Sequence, residues 1–235
     1  MKFKFKIQDY QTEAVNAVVK VFDGQPFNDR VSYLRDVGNR AKQQMKMGER
    51  EDDNGFGNAQ IELPDCALLD NIRALQLSNN IKQSGALSKP FGNNCRCALD
   101  IEMETGTGKT YCYIKAMFEL NKQYGWSKFI VVVPSIAIRE GVKKSFEVME
   151  DHFFEYYGKK ARYFVYNSKN LNELDSFSSS KDINVMIINS QAFASSLKEG
   201  AKNEAARIIY SKQDSFGSRR PIDVISANRP IVILD

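Results

Sequence analysis

Met103-Glu104-Thr105-Gly106-Thr107-Gly108-Lys109-Thr110 is the stretch on which the reading of this chain turns. It lies between the run Ala98-Leu99-Asp100-Ile101-Glu102, expected to be a short strand, and a helical pattern over residues 110–124. A glycine-rich loop that joins a strand to a helix is built to hold phosphate. Gly106 and Gly108 let the backbone curl until successive N–H groups converge on one anion, and the helix that follows adds its positive N-terminal end. Lys109 can reach the β- and γ-phosphates of a nucleotide, and the Thr110 hydroxyl suits a magnesium ligand. A dinucleotide fingerprint would need a third glycine where Tyr111 stands and has no use for Lys109-Thr110. The loop therefore reads as a nucleoside triphosphate site.

Working outward, Phe129-Ile-Val-Val-Val133 is an unbroken apolar, mostly β-branched run, the mark of a strand covered on both faces. Residues 139–157 space Val142, Phe146, Met149 and Phe153 along one helix face, closed by Gly158. Residues 162–166, 185–188 and 231–234 are further strands, with the serine-rich 176–180 as a spacer. Upstream, Tyr10, Ala14, Val18 and Phe22 form the stripe of an amphipathic helix over residues 8–22. Residues 66–77 suit a short helix, whereas 48–58 (GEREDDNGFGN) is polar, glycine-rich and expected to be a loop or mobile insertion. Strands alternating with helices, and apolar throughout, mean an α/β fold with a mainly parallel sheet flanked by helices.

The 235 residues carry 43% hydrophobic and 26% charged residues and a formal net charge of +4. That balance is globular and excludes collagenous or wholly disordered classes. No stretch approaches the roughly 18 consecutive apolar residues of a spanning helix, so no membrane partner is expected. The lysine-interrupted start MKFKFKIQDYQ does not form a secretory core, and a cytoplasmic location follows. Cys95-x-Cys97 lacks zinc-knuckle spacing, Cys66 and Cys112 complete no ligand set, and His152 reads as an ordinary helix residue. A charge of +4 permits nucleic-acid binding without arguing for it.

Met103 occupies the place of the first glycine in the general phosphate-loop pattern, a loss common in helicase-type loops. Such an enzyme also needs a carboxylate at the end of a neighbouring strand to hold the Mg²⁺ shell. Pro230-Ile-Val-Ile-Leu-Asp235 supplies one, in the form of an apolar strand ending in aspartate. METGTGKT (103–110), KFIVVVPSIAIREGV (128–142) and RPIVILD (229–235) together resemble, in order and spacing, the restriction (Res) subunit of type III restriction-modification enzymes. YQTEAV (10–15), FELNKQYG (118–125), YFVYNSK (163–169) and VMIINSQAF (185–193) support the resemblance. Helicases in general share loops like 103–110, and the narrower segment is 134–142.

This resemblance implies a RecA-like P-loop lobe of helicase superfamily 2, with ATP and Mg²⁺ as cofactors. Residues 1–22 would carry an adenine-reading (Q-type) motif, 23–97 a polar insertion, and 98–235 the P-loop core, truncated at the Walker B aspartate. Lys109 and Asp235 would be catalytic, with Thr110 and Asp235 holding the metal. Thr105 to Thr110 would hold the phosphates, Gln11 would read adenine, and Phe3 or Phe5 would cover the base. Pro134, Ser135, Arg139, Asn189, Ser190 and Gln191 would contact the backbone of double-stranded DNA. Each also has a plainer reading, with Ser135 capping a helix, Arg139 solvated at a helix start and Asn189 ending its strand. The implied partner is the methylation (Mod) subunit, which reads the recognition site in this family. Alternatives are the first lobe of another DNA or RNA helicase and an inactive fragment. No Asp or Glu is followed two residues later by Lys, so the common nuclease motif is not expected within these residues. The expectation is a nucleotide-holding half of a motor that turns over little by itself, because a second lobe would supply the arginine facing the γ-phosphate.

Overall fold

A computed structural model describes residues 5–38, 54–90, 95–193 and 208–235. In chain order these form α1 (Asp9–Lys20), β1 (Ser32–Leu34), β2 (Asn54–Phe56), α2 (Asp65–Ser78) and α3 (Lys109–Tyr124). There follow β3 (Lys128–Val133), α4 (Ile136–Tyr157), β4 (Arg162–Val165), α5 (Asn172–Ser179), β5 (Asn184–Asn189) and the single turn α6 (Ser190–Phe193). A 3-10 turn at Asp214–Phe216, α7 (Pro221–Ala227) and β6 (Ile231–Leu234) complete the chain. Two compact units divide it: one takes Asn28–Ala59 and Gly125–Asp235, the other Lys4–Phe27 and Gln60–Tyr124.

The first unit holds the sheet, ordered β4-β5-β3-β6 with every pairing parallel. Every residue of β3 is buried, as its composition demands. Alternate side chains serve opposite faces. Ile130 and Val132 of β3, with Met186 and Ile188 of β5, enter one core with Leu174 and Phe177 of α5 and Ile225 of α7. On the other face Tyr163, Val185 and Phe129 share a register row, and Phe146 of α4 stacks on Tyr163 at 5.0 Å. Helices on both faces of a parallel sheet give the α/β, RecA-like architecture that the alternating pattern implies. The predicted α4 stripe of Val142, Phe146, Met149 and Phe153 is buried throughout. The helix stops where Gly158 turns left-handed (φ 63°) and its N–H reaches Phe154 O at 2.9 Å.

Residues upstream of the phosphate loop belong to this sheet unit. β1 pairs antiparallel with β2, and the tail of β2 leads to Asn58. Asn58 is 3% exposed, and its side chain accepts from Ser127 N (2.8 Å) and Lys128 N (2.9 Å). It also donates to Lys128 O (2.8 Å) and Arg229 O (3.1 Å), so one amide closes four backbone groups at the entries to β3 and β6. Trp126 Nε1 donates to Ala59 O at 3.1 Å beside it. Lys128 is fully buried and caps the carbonyl end of α5, donating to Phe177 O (2.5 Å) and to Ser180 O. Burial lowers its ammonium to about 7, opposed by Asp182.

In the second unit α1 packs on α3 through buried Val15 and Val19. Tyr124 Oη closes that contact on Val19 O at 2.9 Å. Asn71 of α2 donates to Val21 O (3.0 Å) and Asp23 O (2.9 Å), tying α2 to the end of α1.

Four sequence expectations are corrected. Residues 98–102 are not a strand: Ala98 N donates to Ser88 O at 2.8 Å, and among the described residues no neighbour pairs with the rest of the run as a ladder. Asp100, Ile101 and Glu102 are exposed. The serine-rich 176–180 is helical as far as Ser179, because Leu174, Phe177 and Ser178 turn one side of α5 into the core. Part of the expected loop 48–58 is strand β2, held by the β1 ladder, while 48–53 lie outside the described residues. In α1 the buried positions are Val15 and Val19, with Phe22 of the predicted stripe buried just beyond it; Ala14 and Val18 are half-buried and Tyr10 is exposed. Among the described residues no helix is long and apolar enough to cross a membrane.

Candidate nucleotide and nucleic-acid sites

In the second unit the loop 103–110 curls as its glycines allow. Gly106 and Gly108 have φ of 84° and 90°, a left-handed region costly for any residue with a Cβ. A Cβ on Gly106 would meet nothing within 4 Å, so the space over the loop is open. A Cβ on Gly108 would stand 2.6 Å from Gln11 Nε2. Thr107 folds back, with its Oγ1 donating to Glu104 O at 2.6 Å. The first helical bond of α3 runs from Cys112 N to Gly108 O at 3.0 Å. That leaves the N–H groups of Lys109 and Thr110 in the first turn, where no acceptor exists within the helix. Lys109 Nζ donates to Met103 O (3.2 Å) and Glu104 O (3.3 Å), which holds the ammonium against the loop. Open space, orphan N–H donors and a tethered cation are a donor set that fits the phosphates of a nucleotide.

Gln11 and Tyr10, at the start of α1, converge on this loop. Gln11 Nε2 donates to Thr107 O at 2.9 Å and Tyr10 Oη to the same oxygen at 3.2 Å. Gln11 keeps its second N–H and its Oε1 for another partner. Lys115 Nζ donates to Thr12 Oγ1 at 3.0 Å, a second tie between α1 and α3. Phe5 stacks on Tyr111 with ring centroids 6.5 Å apart, and Phe3 lies outside the described residues.

In the first unit the carboxyl ends of the parallel strands carry the remaining predicted residues. Ligands of open α/β sheets bind at that end. Asp235 N extends the β6 ladder to Val132 O at 3.0 Å, which brings this exposed aspartate level with the end of β3. Ser135 caps α4, accepting from Ile138 N at 3.3 Å, as its plainer reading required. Arg139 pairs with Glu140 at 2.9 Å. Arg139, Asn189 and Gln191 line one open cleft of about 190 Å³, together with Tyr166, Asn167, Ser168, Ile188 and Ala192. Pro134, Ser135 and Ser190 do not line it. Two of its lining residues each carry a buried side-chain oxygen, Tyr166 Oη and Asn189 Oδ1, that makes no hydrogen bond. Burial pushes the Tyr166 phenol up to about 12, so it stays a protonated donor.

Residues 4–214 match a family model described as type III restriction enzyme, res subunit. The chain belongs to this family. It is 31% identical over 198 residues to the Res subunit of the type III restriction-modification enzyme EcoP15I from Escherichia coli, covering 77% of this chain and 19% of that protein. It is 33% identical over 155 residues to the StyLTI Res subunit of Salmonella typhimurium, with 58% and 15% covered. The EcoPI Res subunit of Escherichia phage P1 is 32% identical over 114 residues, with 48% and 11% covered. The chain thus spans less than a fifth of the length of each of these Res subunits.

Sequence reasoning passed over Tyr166, Asn167 and Ser168 as site residues. Their signal was positional: they follow β4 directly, at the same sheet end as Asn189 after β5. Asn58, at the tail of a segment read as loop, showed no comparable signal.

Proposed function

We propose that this chain is the ATP–Mg²⁺-binding motor lobe of a type III restriction enzyme, coupling nucleotide hydrolysis to movement along double-stranded DNA before cleavage. The observation that carries the reading is the curled loop 103–110, with two glycines at positive φ and Lys109 tethered to its rim. Lys109 would exchange its carbonyl partners for β- and γ-phosphate oxygens, and the N–H groups of Lys109 and Thr110 in the first turn would donate to the same anion. Thr110, by its hydroxyl, and Asp235, by its carboxylate, would each suit a magnesium shell, and the ion would supply charge neutralisation on the phosphates. Gln11, already hydrogen-bonded to the loop, is positioned to report on the base through its free N–H and Oε1.

Pro134, Ser135, Arg139, Asn189, Ser190 and Gln191 are assigned to the DNA backbone, and the methylation (Mod) subunit is the partner that reads sequence. None of these 235 residues is assigned to strand cleavage, because no Asp or Glu is followed two positions on by Lys. The enzyme works in the cytoplasm, where its DNA is. Titration of a fluorescent ATP analogue with Mg²⁺ tests the nucleotide site: binding is expected, and Lys109→Ala abolishes it. Equal binding by both proteins sinks the assignment. Duplex DNA binding should be independent of sequence and weaken steeply with salt. Tight, salt-insensitive binding to one short sequence would contradict the backbone assignment.

A further inference from the structure

The first turn of α1 sends two donors to one acceptor. Gln11 Nε2 and Tyr10 Oη both reach Thr107 O, at 2.9 and 3.2 Å, one donor for each lone pair of the carbonyl oxygen. Thr107 is held on its other side as well, since its N–H (3.3 Å) and its Oγ1 (2.6 Å) both donate to Glu104 O. Across the next peptide bond stands the Gly108 N–H, which donates to nothing among the described residues. No described peptide bond is cis, so this N–H points opposite to the Thr107 C=O and away from the two side chains that hold it. The same peptide is the one most able to turn over. Gly108 sits at φ 90°, and a glycine takes the mirror-image φ about as readily. A half-turn of the plane changes chiefly ψ of Thr107 and φ of Gly108, so the glycine that lets the loop curl also frees this plane. Turned over, it would present a carbonyl oxygen to an anion in place of an N–H. Two donors on one carbonyl oppose that half-turn where a single donor leaves the plane to rock. Tyr10 is 48% exposed, so burial of its ring does not account for its position.

We propose that Tyr10 is a positioning residue of the phosphate loop: together with Gln11 it clamps the Thr107 carbonyl and so keeps the Gly108 N–H turned toward a bound phosphate. This role rests on the reading of residues 103–110 as a triphosphate site, and it gives Tyr10 a duty to the phosphates and none to the base. The hydroxyl itself touches no ligand; it acts through the 107–108 peptide.

The test is displacement of a ribose-labelled fluorescent ATP analogue from the 235-residue chain by two competitors, ATP and inorganic tripolyphosphate, each with Mg²⁺. Wild type, Tyr10→Phe and Lys109→Ala are compared at a temperature where a circular-dichroism melt shows each of them folded. Tyr10→Phe removes one hydrogen bond from the clamp, so the affinities for ATP and for tripolyphosphate should fall by the same factor, about two- to fivefold, fivefold being the most that one such bond commands. Equal losses point to the phosphates, because tripolyphosphate has no base to contact. A loss for ATP alone would mean that the hydroxyl serves the base, and the clamp is overturned. A melting midpoint that moves while both affinities stay at the wild-type value would make Tyr10 merely structural. Unchanged affinities and midpoint, with binding lost in Lys109→Ala, would overturn the clamp and leave the triphosphate site standing. If Lys109→Ala binds as well as wild type, the triphosphate reading fails and the role of Tyr10 falls with it. A wild type that binds ATP and ignores tripolyphosphate would place the binding energy in the nucleoside, which also overturns the proposal.

Discussion

Replacing Gly108 with alanine should destabilise the protein more than the same change at Gly106, and the difference should belong to Gln11. Both glycines sit at positive φ, 90° and 84°, where a Cβ costs about 1–2 kcal/mol. At Gly106 that strain is the whole cost, since nothing lies within 4 Å of the new methyl. At Gly108 the methyl would stand 2.6 Å from Gln11 Nε2. The amide ends a flexible side chain and can yield, but yielding breaks its 2.9 Å bond to Thr107 O, worth about 1 kcal/mol. Gly108→Ala should therefore cost about 2–3 kcal/mol, Gly106→Ala about 1–2, and Gln11→Ala alone about 1. In the Gln11→Ala background the Gly108→Ala cost should fall to that of Gly106→Ala, a coupling of about 1 kcal/mol in a double-mutant cycle. Circular-dichroism melts resolve this, because 1 kcal/mol shifts the midpoint by about 2–4 °C in a protein of this size. A Gly108→Ala cost that is the same with and without Gln11 would falsify the coupling of helix α1 to the loop.

Two further outcomes test the sheet unit. Asn58→Ala strands four backbone groups that the amide now satisfies, and should lower stability by at least about 3 kcal/mol in urea denaturation. A loss under 1 kcal/mol would mean those groups find water or new partners. Lys128 has a folded value of about 7 against an ordinary 10.5, so between them the unfolded chain binds a proton that the folded chain lacks. Stability should therefore rise with pH from 7 to 9, by at most about 1.4 kcal/mol per pH unit from this group. The rise should disappear in Lys128→Met, and a variant that keeps the wild-type pH profile would show that the lysine stays charged when folded.

The strands legible in the sequence are those whose composition alone demands burial. Residues 129–133 and 185–188 are apolar at every position and have no stable place outside a sheet. The stripe of α4 and the glycine that ends it were legible for the same reason, since both depend on local spacing. Residues 98–102 were misjudged because a strand exists only with a neighbour, and alternation says nothing about whether one is there. Residues 54–58 were misjudged in the opposite sense, as a polar run given strand geometry by β1 some 20 residues earlier and a buried asparagine by contacts 70 and 171 residues away. At the sites, the phosphate loop was legible because its chemistry is local to eight residues. The strand-end cleft gathers residues from three separate segments, and the feature that marks Tyr166, an unmatched buried oxygen, exists only after folding.

The four bonds of Asn58 also bear on the order in which the chain acquires its shape during synthesis. Lys4–Phe27 and Gln60–Tyr124 hold all the parts of their unit once Tyr124 has left the ribosome. The sheet unit begins with residues made earlier, Asn28–Ala59, yet the last of those bonds waits for Arg229. The fourth bond of the Asn58 amide must therefore wait while about 170 later residues are translated, roughly 10–35 s at typical rates of synthesis. During that interval β1 and β2 can pair with each other, whereas joining Asn58 to Arg229 is a contact of high sequence separation, the kind that slows folding. Expressing Gly125–Asp235 alone would give a sheet in which the entries to β3 and to the edge strand β6 have lost their shared amide.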